Sequence, residues 1–250
     1  MTDSERGTRP PLRVVVTGAA SGIGLAVAER IIADGGRVAA LDVAVAPPPG
    51  LDAPYLRVDV RDADRVRAAV DEAARRLGGL DGIACCAAIA IRGTVETASL
   101  EHWRDQFDVN VLGTVTVVRA AIPHLRAAGG GAVVTIGSNL GVVAQANLAA
   151  YCATKGAILS LTQAMAIDLA ADGIRVNSVS PGPTRTPMLL NTLATSTDPE
   201  AATRESVATQ LHGRLVEPDE VAAAVVFLLG SDNGSILGAN LAVDGGYTVR

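Results

Sequence analysis

Between residues 12 and 243 the chain alternates short β-branched runs with stretches of helical spacing, and this alternation restricts its fold more than any other feature. Residues 12–17 (LRVVVT) form a strand-like run that stops at glycine. Residues 23–34 follow with helical spacing of apolar side chains and end at the Gly35-Gly36 stop. Further strands are expected at residues 37–42, 55–60, 80–87, 131–137 (GAVVTIG), 174–179 (IRVNSV) and 240–243. Between them, helices are expected at 62–77, within 100–126, at 151–170 and at 218–229, the last with Pro218 at its start as helix N-termini favour. A repeated strand–helix–strand pattern implies a parallel sheet with right-handed crossovers and helices on both faces. Apolar residues are 49% of the chain and aromatics only 2%, so Ala, Val, Leu and Ile must fill the core, as suits strands buried on both faces.

At 250 residues there is room for one α/β domain, taken as residues 12–250, behind a polar lead of residues 1–11 expected to be disordered. The net charge of −5 and the absence of a basic cluster argue against a nucleic-acid partner. The longest apolar run, residues 221–229, is far short of the roughly 20 residues of a membrane helix, and the N-terminal stretch carries no apolar core of a secretion signal. A cytoplasmic location is the default. Cys85, Cys86 and Cys152 have neither disulfide nor metal spacing and read as packing residues, and His102, His124 and His212 form no metal pattern.

The first strand runs into Thr17-Gly18-Ala19-Ala20-Ser21-Gly22-Ile23-Gly24. Glycines between a strand and a helix let backbone N–H groups approach a pyrophosphate at the positive end of the helix dipole. That context makes a Rossmann-type doubly wound sheet of about seven strands the expected fold. Asp42 ends the second strand eighteen residues beyond Gly24. A carboxylate there accepts hydrogen bonds from the adenosine ribose and repels a 2′-phosphate, and the glycine loop holds no Arg, so NAD is expected over NADP. Asp59 and Val60 close the third strand beside the expected adenine, a capping role for Asp59 before the next helix being the competing reading. Tyr151 and Lys155 stand four apart and share one helix face. A phenol with a pKa near 10 is a poor base at neutral pH, and a neighbouring ammonium is expected to lower it.

In their order and spacing these motifs resemble the short-chain dehydrogenase/reductase family of about 250 residues, over residues 12–247. The resemblance is carried by TGAASGIG at 17–24, Asn110 in VNVLG, Ser138 in IGSNLG, YCATK at 151–155, PGPTRTPM at 181–188 and DGG at 244–246. It implies that Ser138 hydrogen-bonds the substrate oxygen and that Tyr151 moves its proton. It also implies that Lys155 holds the nicotinamide ribose, that Asn110 anchors a water linking Lys155 to solvent, and that Pro181, Gly182, Thr184 and Thr186 border the nicotinamide. Asn110 also has a plainer reading, as a cap or kink in its helix. The family pattern Asn-Asn-Ala-Gly is replaced here by Cys85-Cys86-Ala87-Ala88. The backbone of Cys86 and Ala87 is still expected to line the cofactor, while the β-carbon of Ala88 restricts φ and approach.

Asn139, Leu140, Gln145 and Leu148, around Ser138 and Tyr151, are expected to face the substrate, a small alcohol or carbonyl compound whose identity they leave open. Residues 186–213 read as an irregular, Thr/Ser/Ala-rich lid. The helix at 151–170 is apolar on more than one side, which together with the resemblance implies a homotetramer. The reading that results is an NAD-dependent secondary-alcohol oxidoreductase. Its rivals are an NADP-dependent carbonyl or 3-oxoacyl reductase and a dinucleotide sensor without turnover.

Overall fold

The computed structural model of the protein describes residues 11–194 and 196–249; all of the N-terminal lead except Pro11 lies outside the described residues. Seven strands, β1 (Arg13–Thr17), β2 (Arg37–Asp42), β3 (Tyr55–Arg57), β4 (Gly82–Cys85), β5 (Gly131–Ile136), β6 (Ile174–Pro181) and β7 (Asn240–Val243), pair in parallel in the order β3-β2-β1-β4-β5-β6-β7. The order reverses between β1 and β4, and a doubly wound sheet binds its ligand outside the carboxyl ends of the strands at such a point.

The side-chain period of two divides the strands between two cores. On one face Val15, Leu41, Ile83 and Val133 pack under α2 (Ala63–Leu77), α4 (Gly113–Ala127) and α5 (Ala149–Leu169). On the other, Val14, Val16, Val38, Ala84 and Val134 pack under α1 (Gly22–Ala33) and α8 (Pro218–Leu229). Both cores are aliphatic, which is how a chain with few aromatics still closes two layers of helices onto one sheet.

Several expected boundaries shift. β3 ends at Arg57 rather than at residue 60, and β4 occupies only Gly82–Cys85 of the expected 80–87. Asp62 is the N-cap of α2, its carboxylate accepting from Arg65 N at 3.1 Å, and Gly78 (φ 74°) ends that helix in the left-handed conformation. The long helix expected within 100–126 is interrupted: α3 (Leu100–Phe107) passes through a π-helical turn, Asp108–Leu112, before α4 begins. A single extra residue in a helix leaves no mark on apolar spacing short enough to read.

The stretch 186–213 is not irregular. It folds as α6 (Pro187–Ala194) and α7 (Pro199–Ala208), with Asp198 capping α7 by accepting from Ala201 N at 2.9 Å. Each helix starts on proline, a residue that stops a helix in its interior and starts one at its first position. Among the described residues, no helix is long and apolar enough to cross a membrane.

Ile83 is fully buried in the strand at the centre of this arrangement, between β1 and β5. Ile83→Ala is expected to lower unfolding stability by about 2–5 kcal/mol in urea titration, and a loss below about 1 kcal/mol would contradict the packing described.

Candidate active site

Two cavities meet at the carboxyl ends of β1, β4, β5 and β6. The first, a cleft of about 400 Å³, runs from the glycine turn over β1 towards β2 and β3. Gly18 takes φ +66°, and a β-carbon on it would lie 2.8 Å from Ala87 N. A β-carbon on Gly24 would overlap the Gly18 carbonyl. Only glycine lets α1 start this close to the strand and leaves the turn open to a ligand backbone. Ser21 caps α1 without a side-chain hydrogen bond, so the N-terminal dipole of α1 faces the cleft lined by Ser21, Gly22 and Ile23.

Thr17 fastens β1 to β4: its Oγ1 accepts from Cys86 N at 3.1 Å and Ala87 N at 3.2 Å. Ala88 lines the cleft with ordinary backbone, since Asn147 is the one non-glycine residue at positive φ among the described residues. The loss of glycine at 88 is therefore absorbed without strain. Cys86 and Ala87 line the cleft as expected, and burial pushes the Cys86 thiol up to about 12, so it is no nucleophile at neutral pH.

At the far end of the cleft, Asp42 accepts from Ala20 N and Ala44 N, both at 2.9 Å, and thereby binds the glycine turn to the end of β2. Asp59 and Val60 line the same end. Asp59 does not cap α2. It pairs with Arg61 at 2.7 Å, and that guanidinium holds its carboxyl below the usual range.

Tyr151 and Lys155 lie one turn apart at the start of α5, and both line the cleft. Lys155 Nζ sits 5.5 Å from the Tyr151 ring centroid and donates to Ile136 O at 2.8 Å. Burial pulls the ammonium down to about 8. The phenol departs from the expected depression. Close packing of protein around it pushes its pKa up to about 12, with the hydrogen bond to Ser138 acting in the opposite direction. Desolvation of the phenolate thus outweighs the attraction of an ammonium that is itself turned to a backbone carbonyl.

Ser138 is buried at the end of β5, where its Oγ donates to Asn139 Oδ1 at 3.1 Å and accepts from Leu140 N at 3.0 Å. Asn110 lies in the π-helical turn. Its Oδ1 accepts from Ile89 N at 2.8 Å, and its Nδ2 donates to Ile89 O at 2.9 Å and to Thr154 Oγ1 at 3.1 Å. The amide thus latches the loop after β4 to the helix bearing Tyr151, a role that neither expected reading named. Gln106, fully buried one turn earlier, holds Ile91 N at 3.0 Å in the same way. Gln106 carries no motif, and only its spacing of one helical turn from Asn110 hinted at it; Thr17 opens the glycine motif, but its tie to the end of β4 was not foreseen.

The second cavity adjoins the cleft and shares Ile23, Ile136, Tyr151, Thr186 and Met188 with it. Ser138, Asn139, Leu140, Gln145 and Leu148 line it, as expected. Pro181, Gly182 and Thr184 line this second cavity rather than the cleft, because β6 runs on to Pro181 and carries them past the dividing wall. A β-carbon on Gly182 would lie 2.8 Å from Asp244 Cα, which is why the glycine and the DGG segment occur together. Leu189, Leu193 and Ser206 of α6 and α7 close the outer side, and Arg92 stands on the rim.

Known proteins share this framework. A family model described as enoyl-(acyl carrier protein) reductase matches residues 18–248. Cis-4-hydroxycyclohexanecarboxylate dehydrogenase of Sinomonas cyclohexanicum is 39% identical over 94% of this chain and 95% of its own length. Meso-2,3-butanediol dehydrogenase of Serratia marcescens is 37% identical over 94% of each chain. The ligand-free aldohexose dehydrogenase of Thermoplasma acidophilum superposes with a TM-score of 0.90 at 31% identity, covering 96% of this chain and 95% of that one. The chain belongs to the short-chain dehydrogenase/reductase family and is an oxidoreductase of alcohols and ketones that uses a nicotinamide cofactor.

Proposed function

We propose that the protein oxidises a secondary alcohol to a ketone with NAD, Tyr151 serving as the base. The observation that carries this reading is the place of Tyr151 on the wall common to both cavities, with Ser138 lining the second of them. The cleft suits a dinucleotide because glycine at 18 and 24, where β-carbons would strike the backbone of Ala87 and Gly18, lets the turn and the start of α1 lie close against the strand ends that line it. Gly18, Ser21, Gly22, Ile23 and Gly24 would hold the pyrophosphate, and Asp42, Asp59, Val60, Cys86 and Ala87 the adenosine. Lys155 and Thr186 would hold the nicotinamide side, with Pro181, Gly182 and Thr184 beyond it. The nicotinamide, when bound, supplies the hydride acceptor.

Tyr151 takes the hydroxyl proton as the carbinol hydrogen leaves with its electron pair. Ser138 donates to the same oxygen and fixes it against the phenol. Lys155 keeps a positive charge close to the phenolate form. Asn110 acts through position, by holding the loop after β4 against α5. Helices α6 and α7 form the wall that would close over the substrate and exclude water. Assembly as a homotetramer in the cytoplasm belongs to the same proposal, supported by Ile167 on α5, which is 79% exposed.

Asp42 supports NAD over NADP. Its carboxylate stands where a 2′-phosphate would arrive, and Arg61, a cation on that part of the cleft, is already paired with Asp59. The reductase reading, which the description of the matched family model favours, shares every catalytic residue and differs at this point. Fluorescence titration is expected to show NADH binding at least tenfold tighter than NADPH, and Asp42→Ser is expected to narrow that gap. Equal binding of both by the unmodified protein would exclude the role given to Asp42.

Tyr151→Phe is expected to lower kcat for alcohol oxidation by about 10²–10⁴ while NADH titration still reports binding. Retained turnover would remove the phenol from the mechanism. A base that starts near 12 is protonated at neutral pH. The rate of alcohol oxidation is therefore expected to climb with pH between 7 and 9, while ketone reduction, which consumes the protonated phenol, does not. An oxidation rate that falls across that interval would contradict Tyr151 as the base.

A further inference from the structure

The cavity next to Tyr151 carries one ionic side chain on its wall, Arg92, and no carboxylate. The chain as a whole has more Asp and Glu than Lys and Arg, 26 against 21, so the absence of an acid here is a property of the site rather than of the composition. Other arginines are neutralised within the fold: Arg13 by Asp81, Arg126 by Asp172, Arg185 by Glu217 and Arg214 by Glu220. Among the described residues, the Arg92 guanidinium has neither an ion pair nor a hydrogen bond.

The backbone that carries Arg92 is held. Ile89 N donates to Asn110 Oδ1 at 2.8 Å, Ile91 N to Gln106 Oε1 at 3.0 Å and Gly93 N to Asn147 O at 2.8 Å. Anchoring every second residue turns the alternate ones the other way, and Ala90 and Arg92 both line the second cavity. Ala149 N, at the first residue of α5, donates to Gly93 O at 3.3 Å, so the loop bearing Arg92 is stitched to the helix bearing Tyr151. The wall they share includes Leu140, Leu148, Leu189 and Leu193, with the amides of Asn139 and Gln145 among them.

A cavity with the Tyr151 phenol, a wall that is aliphatic in part and a guanidinium on its rim matches one kind of molecule. We propose that Arg92 determines specificity, and that the substrate is a secondary alcohol with an aliphatic body and an anionic group, a carboxylate or sulfonate, several atoms from the carbinol carbon. This rests on the reading of Tyr151 as the base acting on an alcohol in the same cavity. The guanidinium fork pairs with either oxyanion by two parallel N–H···O bonds, which a neutral amide cannot reproduce. Arg92 touches the substrate away from the reacting atoms, so its contribution is to binding in ground state and transition state alike, and it appears in KM rather than in kcat.

The test uses the protein with NAD and a ladder of hydroxy acids, 3-hydroxybutanoate, 4-hydroxypentanoate and 5-hydroxyhexanoate, each against its carboxamide and, in a second arm, its sulfonate counterpart. The best acid is expected to exceed its carboxamide in kcat/KM at least tenfold. Arg92→Gln is expected to erase that preference through KM with kcat held, and Arg92→Lys to restore part of it. The position of Arg92 on the rim allows both variants to fold, which thermal denaturation checks. Equal kcat/KM for acid and carboxamide, or an Arg92→Gln protein with an unchanged preference, overturns the proposal and leaves alcohol oxidation by Tyr151 standing. If no member of the ladder is oxidised, the binding of hexanoate and hexanamide to the NADH-loaded protein, followed by ligand-observed NMR, still decides the matter. Hexanoate binding that depends on Arg92 then sustains the anion site while the action of Tyr151 on these alcohols falls, and equal binding by protein and variant overturns the anion site itself.

Discussion

The structure depends on how closely the turn after β1 approaches the end of β4. Gly18 stands where any side chain would strike the backbone of Ala87, and the Thr17 hydroxyl takes both N–H groups of Cys86 and Ala87. That contact lies where the strand order reverses, at the strand ends that line the cleft. Asp42 repeats the device on the other side by tying Ala20 to the end of β2. The cleft is thus framed by three strand ends, tied by the Thr17 hydroxyl and the Asp42 carboxylate as they accept from backbone N–H groups. This is how the chain carries Cys85-Cys86-Ala87-Ala88 where its family has asparagines and a glycine. The altered residues sit inside a frame that Thr17 already closes.

The electrostatics of the reacting end follow from enclosure. A phenol and an amine placed together in water would each approach the other's needs. Inside the protein both lose hydration, so the amine becomes easier to deprotonate and the phenol harder, and the two values move towards their neutral forms. Lys155 directs its ammonium to the Ile136 carbonyl. Enclosure thus favours the neutral form of both side chains.

Much of this was legible in the sequence, and the reasons differ by element. β2, β7 and α8 were bounded without error because each is closed by a sharp signal: a glycine pair before β2, Pro218 before α8, and glycines on both sides of β7. The glycine turn, Ser138, Tyr151 and Lys155 were legible because chemistry restricts the residue types that can stand there. What escaped was geometry that residue type does not encode. The π-helical turn adds one residue to a helix without changing its composition. Pro187 and Pro199 read equally as ends and as beginnings. The phenol's raised pKa depends on how tightly the wall closes, and the pinning of the loop after β4 uses Gln106, an amide with no motif around it. Arg92 lay in plain sight between those pinned residues and acquired meaning only when the cavity beside it proved to hold no acid.

The π-helical turn has a consequence for how such a molecule can change. An α-helix presents the same face every 3.6 residues, so one unbroken helix from Leu100 to Ala127 would bind the facing of its first half to that of its second. One inserted residue rotates the two halves against each other by about 100°, with Asn110 at the swivel. The first half can then look towards the mouth of the site, through Gln106, while the second keeps Val117, Ala121 and Leu125 against the sheet. Drift in the residues that shape the mouth need not disturb the layer on which stability rests, and a scaffold divided in this way can exchange one clientele of small molecules for another without refolding its foundation.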